Sequence, residues 1–235
     1  MKRIGIFGFG ILWVSSFAFG ADYSQCSTQT PMTWAPETAP LMGLLPVNFH
    51  KVNDFIYRGA RIESQAQANA LLKLKIKTVI NLQGGDLNSR AGEEVIGGDW
   101  PLILPLVEPG ETPAEIAQEG IELKNGGLLA NNYLNIPIDS LSLVRSKEET
   151  SIEKVMRIIN DPKTPRPIYI HCAHGADRTG LVIALYRVLT ENICMNTAHA
   201  EWMALGHDDL HTALTGALDV FYYQYLMEKI YLGLN

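Results

Sequence analysis

The segment that most restricts this chain is His171-Cys172-Ala173-His174-Gly175-Ala176-Asp177-Arg178-Thr179-Gly180. The β-like run Pro167 to His171 leads straight into it. Leu181 to Leu189 follows, apolar almost all round, as expected of a helix buried beneath a sheet. A tight loop at a helix N-terminus points successive backbone N–H groups inward, and that arrangement binds an anion. The same field favours the ionised form of a cysteine placed in it, so a thiolate is expected at Cys172. Arg178, six residues on, can curl back and hold two phosphate oxygens with its planar fork. Gly175 permits the sharp turn. Thr179 can donate its hydroxyl to the sulfur, and His171 can orient the loop through backbone carbonyls. The loop therefore reads as a phosphate cradle made of Ala173, His174, Gly175, Ala176, Asp177 and Arg178, with Cys172 as nucleophile.

The elements around it alternate. Phe55 to Tyr57 reads as a short strand, Glu63 to Leu74 as a helix, and Thr78 to Leu82 as a buried strand bounded by Gly84-Gly85. Residues 84 to 112 are rich in Gly, Asp and Pro and read as a long excursion from the sheet. Thr112 to Leu129 is expected to be helical in part, and Tyr133 to Ile138 to be another strand. Ser146-Lys147-Glu148-Glu149 has capping-box spacing and opens a helix with Ile152, Val155, Met156 and Ile159 on one face, stopped by Asp161-Pro162. From Asn196 the chain reads as helical, with a break near Gly206. Strands alternating with helices argue for an α/β domain with a mainly parallel sheet.

Cys-x5-Arg followed by Thr-Gly, set between a strand and a helix, resembles the signature of the protein tyrosine phosphatase superfamily. Asn48 to Leu82 looks like the opening strand, helix and second strand of small dual-specificity-like phosphatases. Asp177 to His207, with DRTG, ALYRV and AEWMALGH, looks like bacterial members of that group. The resemblance implies a single domain over residues 47–235, with a central, mainly parallel sheet of four to five strands flanked by helices. It also implies a cysteine-dependent phosphomonoesterase with a thiophosphate intermediate and no cofactor. Such enzymes keep a proton-donating Asp on a loop some thirty residues before the Cys. Asp139 fits, thirty-three residues upstream and just after the Tyr133–Ile138 run. Asp177 is the competitor: an Asp directly before the Arg resembles the CxxGxDRTG loops of myotubularin-like lipid phosphatases and of secreted bacterial phosphatases. It can serve as the acid, position water or brace the loop. Glu148 and Glu149 read more simply as first-turn helix residues.

The amino terminus carries Lys2 and Arg3, an apolar run from Ile4 to Val14 too short to span a bilayer, and small residues at Ala18 and Gly20. Residues 1–20 are therefore expected to be a secretory signal peptide, with an uncleaved anchor or a buried first helix as the alternatives. No stable membrane anchor is expected. Pro31, Pro36, Pro40 and Pro46 suit an extended arm over residues 21–46. A periplasmic or secreted location follows. The three cysteines leave at least one thiol unpaired or imply an intermolecular bridge. If one disulfide forms, Cys26 with Cys194 is the expected pair, since Cys172 has another use.

Charge narrows the partners. The net is −6, and −8 without the first twenty residues, so no nucleic-acid partner is expected. An anionic substrate must be held by local donors, not by the overall field. Lys51, His50, Arg58, Arg61, Arg145 and Lys147 line a basic pocket if the fold gathers them, and otherwise form ordinary solvated surface. His174 either reads further phosphates or bonds a neighbouring loop. His207 and His211 stand four apart with His199 upstream, but no close third ligand completes a metal set, so they read as surface or capping histidines. The expected substrate is an inositol polyphosphate, as in cysteine phytases, or another small non-protein phosphate. The alternatives are a secreted phosphotyrosine or dual-specificity protein phosphatase, and a catalytically silent phosphate-binding module. A rhodanese-like sulfur transferase fits Arg178-Thr179-Gly180 poorly.

Overall fold

The computed structural model describes residues 25–28, 36–83, 113–138, 150–207 and 213–231. A five-stranded sheet has β1 (His50–Lys51), β2 (Ile56–Ala60), β5 (Ile168–Cys172), β3 (Thr78–Asn81) and β4 (Tyr133–Asn135) in that spatial order. Only the β1–β2 pair is antiparallel. The α/β expectation is met, and β5 lies at the centre. All five of its residues are buried, as a parallel strand covered on both faces should be.

Alternation along β5 divides its contacts. Ile168, Ile170 and Cys172 face one core with α3 (Ser151–Asn160), α4 (Asp177–Leu189), α5 (Met195–Ala204) and α6 (Ala213–Tyr231). Tyr169 faces the other core, built with Leu71 of α1 (Gln65–Lys73) and Leu123 of α2 (Pro113–Asn125). Helix α4 is buried from Thr179 to Val188, because α3, α5 and α6 all pack on it. Arg187 of α4 holds α5 through both oxygens of Glu201, at 2.9 and 2.7 Å.

Local signals set the helix ends. Ser64 caps α1 by accepting from the Gln67 N–H. Helix α3 opens on a capping box, but its members are Thr150 and Glu153: each side chain accepts from the other's backbone N–H. The box expected at Ser146 to Glu149 lies outside the described residues. Thr150 precedes the apolar stripe directly, which gives it the cap. Part of the Pro-rich arm is wound rather than extended: Pro36–Leu41 is a 3₁₀ turn with Thr38 and Leu41 buried. Cys26 is joined to Cys194, the expected pair, and Ser27 bonds the backbone of Asn192 and Cys194 beside it. Among the described residues no helix is long and apolar enough to cross a membrane.

Candidate active site

Cys172 ends the central strand and Asp177 begins α4, so four residues make the turn between them. Gly175 takes a left-handed φ of 70° and lies on the backbone of β2, where a Cβ would overlap the Gly59 carbonyl and the Ala60 nitrogen. Only glycine satisfies both demands. The turn is stitched on both sides. The Arg61 N–H donates to the Ala173 carbonyl at 3.2 Å. Asn48 donates to the carbonyls of Leu205, at 2.8 Å, and His174, at 3.4 Å. Ala176, the N-cap of α4, offers no side-chain cap, so the first amides of the helix have no internal acceptor and are available to an anion.

Cys172 is a free thiol, 4% exposed, at the base of this turn. Arg178 lies in the first turn of α4 and is partly exposed. Thr179 is fully buried, and its hydroxyl has no hydrogen-bond partner among the described residues. Its expected bond to the sulfur is not made here. His174 is exposed.

Arg58 overturns its reading as pocket lining or solvated surface. It is fully buried in β2, on the face that carries Cys172, and donates to the Gly175 carbonyl. Burial pulls its guanidinium down to about 10, against the pull of negative charge at Cys172. It stays a cation at neutral pH. The other basic candidates divide. Lys51 is paired with Glu37 and Asp54, and Arg61 with Glu63. His50 is partly buried, contacts the Asn48 carbonyl and has its pKa lowered, chiefly by desolvation. Arg145 and Lys147 lie outside the described residues.

A buried histidine–carboxylate contact flanks the turn on each side. On the α2 face, His171 Nε2 lies 2.8 Å from Glu119 Oε1, and the His171 ring stacks on Tyr169 at 5.5 Å. His171 was expected to bond backbone carbonyls; its nearest described partner is this carboxylate. On the other face Asp177 Oδ1 lies 2.6 Å from Nδ1 of His207. Nε2 of His207 lies 3.1 Å from Asp219, and Asp219 in turn meets His199 at 2.7 Å. Reading His207 as a surface or capping histidine is therefore corrected: its side chain is fully buried. Trp202 stacks on it at 3.9 Å and donates its indole N–H to the Ala176 carbonyl at 3.2 Å. Gly180 makes room, since a Cβ there would overlap the Trp202 ring. His211, the partner proposed for His207, lies outside the described residues.

So do Asp139, Glu148 and Glu149. The approach to Asp139 is described. The Leu82 N–H donates to the His171 carbonyl at 2.8 Å, and the Ile138 N–H to the Leu82 carbonyl at 3.1 Å. Ile138 therefore stands two chain spacings from the turn after Cys172, about 10 Å, at the same carboxyl edge of the sheet. That edge is where open α/β sheets bind ligands. Sequence reading missed Glu119, Trp202 and Asp219, and it named Arg58 as pocket lining where the structure has it buried beneath the turn. Only Arg58 left a signal, a charge inside the run Ile56-Tyr57-Arg58-Gly59-Ala60.

A family model described as "Tyrosine phosphatase family" matches residues 49–191. "Inositol diphosphatase DSP2" of Oryza sativa subsp. japonica is 27% identical over 171 residues, spanning 72% of this chain and 66% of the rice protein, just under two thirds of its length. "Dual specificity protein phosphatase TpbA" of Pseudomonas aeruginosa (strain UCBPP-PA14) is 22% identical over 198 residues, 83% of this chain and 70% of that protein. A crystal structure of P. aeruginosa TpbA superposes with a TM-score of 0.53 at 18% identity, covering 86% of this chain and 94% of that one. The core catalytic domain of the PP-IP phosphatase SIW14 from S. cerevisiae gives 0.50 at 19% identity, covering 80% and 96%. At such identities the structural likeness speaks for the fold.

Proposed function

Because this chain belongs to the tyrosine phosphatase family and is a phosphoric monoester hydrolase, we propose that it cleaves the ester through a phosphocysteine at Cys172 and acts on inositol polyphosphates. The observation that carries the mechanism is the junction of β5 and α4. There a cysteine ends the central strand, an uncapped helix start follows, and Arg178 lies in the first turn. In the first step the Cys172 thiolate attacks phosphorus, forming S–P as the P–O ester bond breaks. Backbone N–H groups of Ala173 to Arg178 and the Arg178 guanidinium hold the equatorial oxygens. Asp139 gives its proton to the leaving oxygen. In the second step Asp139 takes a proton from water, the hydroxyl attacks phosphorus, and the sulfur leaves as thiolate with the Thr179 hydroxyl turned toward it. Support for Asp139 comes from Ile138, which ends beside Leu82 at the same sheet edge as the turn.

The inositol phosphate reading draws on the rice relative, whose name gives that substrate class. A protein-phosphatase reading has support in the match to TpbA, whose name gives that activity and which spans more of this chain. Export through a signal peptide at residues 1–20 is part of the proposal. The Cys26–Cys194 disulfide favours it, since such bonds persist in oxidising compartments. The test is phosphate release from phytate and from a phosphotyrosine peptide, with wild type and Cys172→Ser. Release from phytate by wild type alone is expected. Release from the peptide only refutes the substrate, and activity retained by Cys172→Ser refutes the mechanism. No release from any ester, with phosphate still bound, makes the chain a silent binding module.

A further inference from the structure

We propose that His207 is a positioning residue which, as an imidazolium, clamps Asp177 to Asp219 and thereby fixes the turn that carries Arg178, leaving Asp177 an anchor and not a proton donor.

The argument starts from donor counting. Both ring nitrogens of His207 face carboxylate oxygens, Nδ1 to Asp177 at 2.6 Å and Nε2 to Asp219 at 3.1 Å. A neutral imidazole has one donor and one acceptor, so it can satisfy only one ionised carboxylate. The doubly protonated ring satisfies both. Burial by itself would lower the basicity of this ring. The bonds to Asp177 and Asp219 outweigh it, and its pKa stands above the ordinary 6.5. The Trp202 indole, parallel to the ring within 16° and 3.9 Å away, offers its negative face to the cation. His199 of α5 completes the row by meeting the other oxygen of Asp219.

The consequence lies in the loop. Asp177 opens α4 one residue before Arg178, and its carboxylate is tied to a cation. Its Oδ1 lies 2.6 Å from His207 Nδ1, so that oxygen is already engaged in the clamp. Asp219 belongs to α6 and His207 follows α5, so the clamp pins the first turn of α4 to both helices. Trp202 adds a second tie at the Ala176 carbonyl.

This inference rests on the phosphatase reading only in its kinetic arm. Long-range proton–nitrogen spectra of the full chain at pH 7.5 read the ring directly, with the His207 signals assigned by their loss in His207→Gln. Should that variant fail to fold, the shift of the same signals in Asp219→Asn assigns them. Two protonated ring nitrogens are expected, and a neutral tautomer at pH 7.5 overturns the clamp. In kinetics, Asp177→Asn should slow aryl and alkyl phosphates by one common factor, about 10- to 100-fold, the scale of a small misplacement in a positioned site. A loss confined to the alkyl leaving group would make Asp177 the acid and overturn the inference. If no ester is hydrolysed at all, the phosphatase reading falls while the spectra still decide the clamp.

Discussion

The two histidine–carboxylate contacts that brace the turn between Cys172 and Arg178 are built differently. His171 and Glu119 are sealed: their side chains are 0% and 2% exposed, and Nε2 of the one lies 2.8 Å from Oε1 of the other. His207 is equally buried, yet Asp177 and Asp219 keep 24% and 16% of their surface in water. A sealed pair has no solvent to replace a lost partner, whereas a row that opens to water at its ends can draw on it. The first contact should therefore govern stability. The second should govern the placement of Asp177 and Arg178 with less effect on folding.

Glu119→Ala tests the sealed side, with the largest expected effect. Leaving a buried polar group without its partner typically costs about 1–3 kcal/mol, and Glu119 serves more than one such group. Asn81 and Tyr133 also donate to Glu119 and would lose that acceptor. Urea unfolding should show the loss, and a change within a few tenths of a kcal/mol would mean that the pair is dispensable. Gly180→Ala comes next, on the open side. The new Cβ would meet Trp202, which is 1% exposed and has nowhere to move. Overpacking of this kind costs about 1–3 kcal/mol. Activity should fall as well, since Trp202 also holds the Ala176 carbonyl. A variant with wild-type stability and rate would show that the wall yields.

These flanks also mark what could be read from the sequence. The turn was legible because its chemistry is local: strand, Cys172, Gly175, Arg178 and helix lie within a few residues of one another, and backbone geometry follows from that spacing. The alternation of apolar segments gave the α/β class for the same reason. The braces were not legible, because each joins residues far apart in the chain. Glu119 and His171 are brought together by packing α2 on the sheet face that β5 alternation assigns to His171. Asp219 reaches His207 only once α6 has docked on α4. Arg58 stood in plain view, but a charged residue in a short strand reads as solvated until its register opposite Ile170 shows that it lies under the turn. The cap of α3 is Thr150, which stands directly before the Ile152 stripe and forms its own box with Glu153.

Trp202→Phe should have a smaller effect. It keeps an aromatic ring at the site and removes one donor, and such a bond contributes about 0.5–1.5 kcal/mol. The Ala176 carbonyl still accepts from the Gly180 N–H at 2.8 Å, so it is not left bare and the low end of that range is expected. A loss above that range would assign more of the wall to the indole N–H.

The smallest effect is the most diagnostic of the difference between the flanks. The folded pKa of His207 is raised above 6.5, so its contribution is fully present below about pH 6.5 and is lost as pH rises through the folded value. Because its carboxylate partners touch water, the size should resemble that of a partly exposed pair, about 0.2–1 kcal/mol. Wild type should therefore lose stability between pH 6 and pH 9 by this amount more than Asp219→Asn, which weakens the hold on the imidazolium. Asp219→Asn also takes the carboxylate from His199, so the difference between their unfolding midpoints reads the row of His207, Asp219 and His199 as a whole. Parallel curves across that window would mean that the His207 row titrates outside it, and the two flanks would then differ in exposure without differing in their response to pH.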